Sequence, residues 1–393
     1  MESIKDKVAI VGMGTSRFGE LWDMGAEDLI VDAATEAFED AGVEAKDIQA
    51  AWFGTFETGL SGQVLSSALQ LQYIPVTRVE NACATGLEAI RNACYALIAK
   101  AYDLVLVVGV EKMKDVGFGG LLSAPGTFHP VYGAQAVAVG RYAMAATRYF
   151  ERYRLSREEG KRLLAMISVK SHYNGARNPK AHLKKEITLE QATAAPIIAW
   201  PLGLYDCCGV VDGAAAAILC RTEDARNFRD DYITIKGIGL SVGPGWGKER
   251  TDYDYTHWPE TEYAAKAAYK DAGIKNPRKE LDLAEVHDCF SIAELIAIES
   301  LGLCEKGGAK YDIEKGSFSL QGDMPINPSG GLKSFGHPIA ASGCREVCEL
   351  YKQLQGKAEL PERQVKNPRL GLVHSQGGHP GRFMAGVCVV GHP

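Results

Sequence analysis

Apolar residues recur along the chain in two alternating periods. Val8-Ala9-Ile10-Val11 is a short unbroken run, predicting a strand buried on both faces. Between Ala26 and Gly42, Leu29, Ala33, Ala34, Ala37 and Phe38 return at helical spacing, and Ala41-Gly42 supplies a stop. Ala50 to Phe53 reads as a strand and Val76 to Glu80 as extended chain. Leu87, Ile90, Cys94, Leu97 and Ile98 mark one face of a helix, and Leu104 to Val108 is a second doubly buried strand.

From Gly117 the texture changes. Glycine, proline and aromatic residues dominate as far as Tyr132, helical spacing returns over 141–153 and 157–169, and a polar, basic stretch runs from His172 to Lys185. The strand pattern resumes at Asp212 to Leu219, so residues 117–200 read as an insertion that covers a site. The second part of the chain repeats the first. Ile233 to Gly239 echoes Val8 to Gly14, Tyr269-Lys270-Asp271-Ala272-Gly273 echoes Phe38 to Gly42, and Leu283 to Val286 parallels the strand at Trp52. Gly336-His337-Pro338, with a helix through Cys344, Val347, Cys348, Tyr351 and Leu354, stands where Cys83 and its helix stand in the first half. So long a repeat argues a duplicated α/β domain rather than a solenoid. The expected organisation is a first half at 1–116 and 201–228, the insertion at 117–200, and a second half at 229–393.

Composition narrows the function. The 393 residues are 46% hydrophobic and 23% charged, with net charge −6 and pI near 5.9, so no general basic field invites nucleic acid or an anionic membrane. Ten cysteines lie scattered without a Cys-x-x-Cys pair, which predicts neither a disulfide framework nor a structural metal site. The first residues carry no signal-peptide core, Gly391-His392-Pro393 is not a peroxisomal signal, and no apolar run approaches a membrane span. A reduced, cytoplasmic protein is expected. Gly12-Met13-Gly14 lacks the third glycine of a dinucleotide loop.

Candidate chemistry gathers at strand ends and helix starts. In Asn81-Ala82-Cys83-Ala84-Thr85-Gly86, Cys83 sits where extended chain passes into a helix, among small residues that let other groups approach. Unpaired backbone N–H groups there favour a thiolate, although cysteines also serve as buried filler. His287-Asp288-Cys289-Phe290, the segment Asn327 to Pro338 and His374-Ser375-Gln376-Gly377-Gly378-His379 end three further strands or begin helices. Together they offer a nucleophile, a base, a second acid–base group and oxyanion donors, a set suited to acyl transfer through a thioester.

With these segments assembled, the chain resembles the thiolase superfamily over essentially its whole length. The resemblance rests on Asn81 to Gly86, Gly109-Val110-Glu111-Lys112-Met113, Asp212-Gly213-Ala214-Ala215-Ala216, Gly330-Gly331 with Gly336-His337-Pro338, and Gly377-Gly378; Asn174-Gly175-Ala176-Arg177-Asn178-Pro179 is similar to the family's loop domain. His287-Asp288-Cys289-Phe290 resembles the sterol-carrier-protein and archaeal types. The resemblance implies a duplicated five-layer α-β-α-β-α fold, no permanent cofactor, and coenzyme A with an acyl-CoA as substrates. Homodimers or tetramers are implied, as is a small zinc-ribbon and OB-fold partner protein. It implies that Cys83 attacks a 3-oxoacyl-CoA, that His337 takes its proton, and that His287 and His337 hold the enolate oxygen. The N–H groups of Cys83 and Gly378 are implied as the second oxyanion hole.

One departure from the pattern is Ser375, where common thiolases place a second catalytic cysteine. The acid–base duty is therefore expected at Cys289, with His379 as the alternative. Cys208 matches a position near the pantetheine of CoA, and Glu111 is expected to be structural. The basic residues around Arg157, Lys161, Arg162 and Arg177 to Lys185 are candidates for CoA phosphates, against a reading as solvated surface. Arg382, four residues past Gly378, is expected with His379 to meet an extra carboxylate on the acyl group, as a benzoylsuccinyl-CoA would carry. Rivals on the same fold are a ketoacyl or hydroxymethylglutaryl-CoA synthase; the rival of another class is a silent acyl-CoA-binding subunit.

Overall fold

Successive residues of the apolar runs face two different cores, which is why those runs are unbroken. The structure, a computed structural model, describes residues 3–115, 138–245 and 252–393. The first half comprises β1 (Val8–Thr15), α1 (Ala26–Ala41), β2 (Ala50–Gly54), α2 (Gln63–Leu69), β3 (Val76–Val79), α3 (Thr85–Ile98) and β4 (Leu104–Lys112). After it come α4 (Ala138–Arg152), α5 (Arg157–Ala176), α6 (Leu189–Thr193) and a small hairpin, β5 (Ile197–Ala199) with β6 (Leu202–Gly203). The strand β7 (Asp212–Arg221) then returns to the first sheet. Val105 and Val107 of β4 point to the core around α3, whereas Leu104, Leu106 and Val108 point to the core under α1.

The second half repeats this plan with β8 (Ile233–Val242), α7 (Pro259–Ala272), α8 (Pro277–Glu280), β9 (Leu283–Val286), α9 (Ser291–Ser300), α10 (Ala309–Lys315), α11 (Gly331–Phe335), α12 (Ile339–Leu354), β10 (Leu370–His379) and β11 (Arg382–Gly391). Strand order across the sheet is β3-β2-β4-β7-β1-β8-β11-β10-β9. Outward from the centre, each half runs antiparallel, antiparallel, then parallel. The halves join through β1 and β8, where Ala9 faces Thr234 and Ile10 faces Ile233. Helices α3 and α12 pack together between the halves, with α1 and α7 on the outer faces. The five layers expected from the sequence are present, and the two β layers are continuous through that junction.

Gly12 and Gly14 have a packing role. A Cβ on them would lie 2.4 Å from the Ala37 carbonyl oxygen and 2.1 Å from that of Ala33, so glycine lets α1 rest directly on β1. Gly237 and Gly239 do the same for α7, at 2.1 Å from the carbonyl oxygens of Ala268 and Ala264. The repeated device is a physical trace of the duplication. The basic stretch expected from His172 begins within α5, which continues to Ala176. The glycine- and aromatic-rich stretch as far as Tyr132 lies outside the described residues.

Candidate active site

Cys83 sits in a tight turn made possible by small neighbours. Ala82 takes a left-handed φ of 49°, and the Thr85 hydroxyl accepts from Asn81 N–H at 2.8 Å while donating to the Ala82 carbonyl. Close approach of the halves does the rest. A Cβ on Gly377 would lie 2.7 Å from Cys83 N, and one on Gly86 would lie 2.7 Å from Cys344 N. These glycines press the first half's Cys83 turn against β10 and α12 of the second.

The Sγ of Cys83 and one ring nitrogen each of His287 and His337 lie within 4.8 Å of one another. The two imidazoles meet edge to face, with ring centres 5.2 Å apart at 82°. Ser342 Oγ donates to the Pro338 carbonyl at 2.9 Å and lies 2.7 Å from His337 Nδ1. Its one proton being committed, it accepts from Nδ1–H, an assignment that leaves the lone pair on Nε2. That Nε2 and both ring nitrogens of His287 have no protein partner although buried. Buried polar atoms of this kind call for a partner that the protein itself does not supply.

Cys289, 2% exposed, lies near enough to Cys83 for its charge to act on that thiol. Its carbonyl accepts from Cys208 N–H at 2.9 Å, and its thiol is hydrogen-bonded to the Tyr142 hydroxyl. Gln376 Nε2 lies 3.5 Å from the Tyr142 oxygen, and the Tyr142 ring packs 4.7 Å from Phe290. Asp288 accepts from Leu332 N–H and the Ser171 hydroxyl, fixing the loop after β9 to α11. Cys208 is half-buried beside Cys289 and Cys83.

The electrostatics correct one expectation. Desolvation pushes the Cys83 thiol well above its ordinary value, helped by the neighbouring Cys289 and by Glu111. Because α3 begins only at Thr85, its N-terminus does not win against burial, and the resting group is a thiol. Burial also holds His337 down at about 3 and His287 well below its usual range, while Cys289 is pushed up to about 12. All four groups are therefore neutral at pH 7, and charge must arise by transfer among them.

The other expectations separate cleanly. The Ser375 hydroxyl donates to Glu346 at 2.6 Å and is fully buried, while Glu111 accepts from Thr55, Phe56, Glu57 and Thr58 and shapes that loop. Lys161 is neither on a solvated face nor open to a CoA phosphate; it is buried against Asp206. Arg177 stacks on Tyr173 at 3.5 Å and pairs with Glu186, and Lys180 pairs with Glu36. His379 meets Arg141, whose Nη1 lies 2.6 Å from its Nε2. Tyr142, Ser342 and Arg141 were not found by sequence reasoning, since none stands in a motif, and Gln376 was given no role although its segment was singled out.

Three comparisons place this geometry. A sequence profile described as "Thiolase, N-terminal domain" matches residues 8–223, and "Thiolase C-terminal domain-like" matches 248–387. An acetyl-CoA acetyltransferase of Methanothermobacter thermautotrophicus is 39% identical over 95% of this chain and 97% of its own length. The benzoylsuccinyl-CoA thiolase subunit BbsB of Thauera aromatica is 32% identical over 95% and 96%. A solved structure titled "Ltp2-ChsH2(DUF35) aldolase" superposes with TM-score 0.85 at 23% identity, covering 99% of this chain and 98% of that one.

Proposed function

The chain belongs to the thiolase family, and from that premise we propose how its residues cleave a 3-oxoacyl-CoA with coenzyme A, or run the reverse Claisen condensation. Acyltransferase activity of the thiolase type follows from its relatives. The observation that carries the assignment of residues is the cluster of Cys83, His287 and His337 with an unpartnered His337 Nε2.

In this reading His337 Nε2 takes the Cys83 proton as sulfur attacks the 3-keto carbon. The C2–C3 bond then breaks, leaving an acyl group on Cys83 and the enolate of the shortened acyl-CoA. His287 and the protonated His337 hold the enolate oxygen, and N–H groups at Cys83 and Gly378 hold the other oxyanion. Each well-placed donor is worth about 3–4 kcal/mol to the transition state. Cys289 delivers its proton to the α-carbon and then takes one from incoming CoA, whose sulfur releases the acyl group. The displaced Cys83 sulfur recovers its proton from His337, closing a ping-pong cycle.

The reading includes the insertion at 117–200 as the cover of the CoA site and Cys208 as a pantetheine contact. It includes a homodimer or tetramer with a small zinc-ribbon/OB-fold partner, which accords with the word "subunit" in the name of BbsB. Ten free cysteines support a reducing, cytoplasmic setting, and no helix of the described residues is long and apolar enough to cross a membrane.

Acetoacetyl-CoA thiolysis, followed with and without CoA, tests the assignment. Cys83 should become acetylated, and Cys83→Ala should lose both label and cleavage. Cleavage that survives in Cys83→Ala defeats it. Because sulfur and two imidazoles are also zinc donors, the assay is repeated after chelation; activity lost to EDTA and restored by zinc would replace acyl transfer to Cys83 with a metal site.

A further inference from the structure

The groups that would run the chemistry are also a metal-donor set, and we propose that the resting enzyme binds one zinc ion between Cys83, His287 and His337, which blocks acylation until it is removed. This is a regulation of that same site and rests on the thiolase reading.

Geometry carries it. The ligand atoms of the three side chains, one sulfur and two ring nitrogens, all lie within 4.8 Å of one another. In a tetrahedral site with Zn–S of about 2.3 Å and Zn–N of about 2.0–2.1 Å, donor atoms stand roughly 3.3–3.6 Å apart. Each pair therefore has to close by no more than about 1.5 Å, within reach of side-chain rotation. Three protein donors leave the fourth position to a water.

The donors are ready for a metal. His287 and His337 are fully buried, and both ring nitrogens of His287 and the Nε2 of His337 have no protein partner. On the far side of His337, Nδ1–H is held by Ser342 Oγ at 2.7 Å, the outer contact that orients a ligating imidazole and leaves Nε2 to the ion. Burial keeps both rings unprotonated at pH 7, so protons do not compete for them. Cys83 arrives as a thiol. On binding, its proton goes to solvent and its sulfur lone pair to zinc, so one proton leaves for each ion bound and no electron is transferred.

Charge around the sulfur points the same way. The Glu111 carboxylate works against a bare thiolate at Cys83, and that field attracts a cation. The opposing cation on the His337 side, Arg345, is paired with Glu285 at 2.8 Å. Zinc would occupy both the sulfur that attacks and the Nε2 lone pair that takes its proton, whereas an acetyl group on Cys83 removes the sulfur donor. Metal and acyl group thus exclude each other.

The test uses the native chain, freed of metal by dialysis against EDTA and kept without CoA or added thiols. It is titrated with cobalt(II), a spectroscopic stand-in for zinc. One equivalent should raise a sulfur-to-cobalt charge-transfer band that zinc then displaces. Cys83→Ala, which keeps every other free cysteine, should show no band. Ser342→Ala, which leaves all three donors in place, should weaken zinc about 10- to 100-fold. One equivalent of zinc should slow acetylation of Cys83 by acetyl-CoA at least tenfold, EDTA should restore it, and protein already acetylated should bind no cobalt. No band, a band that survives in Cys83→Ala, or acetylation indifferent to zinc overturns the proposal and leaves the thiolase reading standing. Acetylation that requires zinc overturns it too, since the ion would then help rather than block. Metal-free protein that neither acetylates nor cleaves acetoacetyl-CoA sinks the thiolase reading, and the block with it, even where the cobalt band appears.

Discussion

The two halves share one frame but hold it together differently. In the first, the edge of the sheet is β3, a four-residue strand parallel to β2, and its ladder brings the chain to Cys83. In the second, the corresponding edge shrinks to one bridge between Ala284 and Ile326. Side chains replace the missing ladder. Asn327, at a left-handed φ of 58°, accepts from Val286 N–H at 2.7 Å and donates to the Val286 carbonyl at 3.0 Å, as a neighbouring peptide would. Arg345 from α12 binds Glu285 at 2.8 Å and Ser329 at 2.6 Å, all fully buried. Helix α3 carries only the half-buried pair Glu88–Arg91. The difference teaches a division of labour: one half presents a single sulfur, and the other, clamped by buried polar groups, brings His287 and His337 to it.

The largest effect should come from the single group the first half supplies. Cys83→Ala should lower kcat by about 10⁴-fold or more, since removing a nucleophile disables the whole unit. Unchanged thermal stability would show that the loss is chemical. Next come two second-half positions: Cys289, expected to be the acid and base, and Ser375, which stands where common thiolases place a second catalytic cysteine. Cys289→Ala should cost about 10²- to 10⁴-fold in turnover, the usual worth of a positioned proton carrier. It should abolish exchange at the acyl-CoA α-carbon in deuterium oxide while leaving Cys83 acylation intact. The same exchange should persist in Ser375→Ala, whose hydroxyl is turned to Glu346. Loss of exchange in Ser375→Ala but not in Cys289→Ala would reverse the assignment.

The clamp itself can be broken. Arg345→Met leaves Glu285 buried without its cation, which should destabilise the protein by about 3–5 kcal/mol. Arg91→Met, in the first half, should cost no more than about 1 kcal/mol, because its pair is partly solvated. Denaturant titrations of both variants measure the contrast. Equal losses would mean that the buried network does not stand in for the missing strand.

Much of this plan is written in local residues. Unbroken apolar runs, helix spacing and the recurrence of glycine pairs mark the duplicated frame, and the small residues around Cys83 mark the turn. Groups that act through tertiary contact leave no such trace. Tyr142 reaches Cys289 from a helix far away in sequence, and Ser342 looks like any small helical residue until His337 folds over it. Gly12-Met13-Gly14 resembles part of a phosphate loop because close backbone approach is needed in both settings, and only the neighbour differs. The expected acidity of Cys83 failed for a related reason: helix position is local, but desolvation is a property of the assembled core.

A further prediction exploits where the titrating groups sit. His287, His337 and His374, all in the second half, are held neutral by burial, with His337 and His374 at about 3. Between their ordinary value and about 3 the unfolded chain takes up protons that the folded chain refuses, so stability falls as pH is lowered through that window. Glu346 acts in the opposite sense. Burial raises it to about 8, against the attraction of Arg345, so the folded protein keeps a proton that the unfolded chain has already lost. Its contribution is complete below the usual carboxylate range and fades as pH rises to about 8, by roughly 1.4 kcal/mol for each pH unit across the window. Glu346→Gln should therefore flatten the decline between the histidines' ordinary value and about pH 8. Denaturation midpoints measured from pH 4 to 9, as a chosen range, read this directly. If native protein and Glu346→Gln lose stability in parallel across it, Glu346 is not the group that makes the second half sensitive to base.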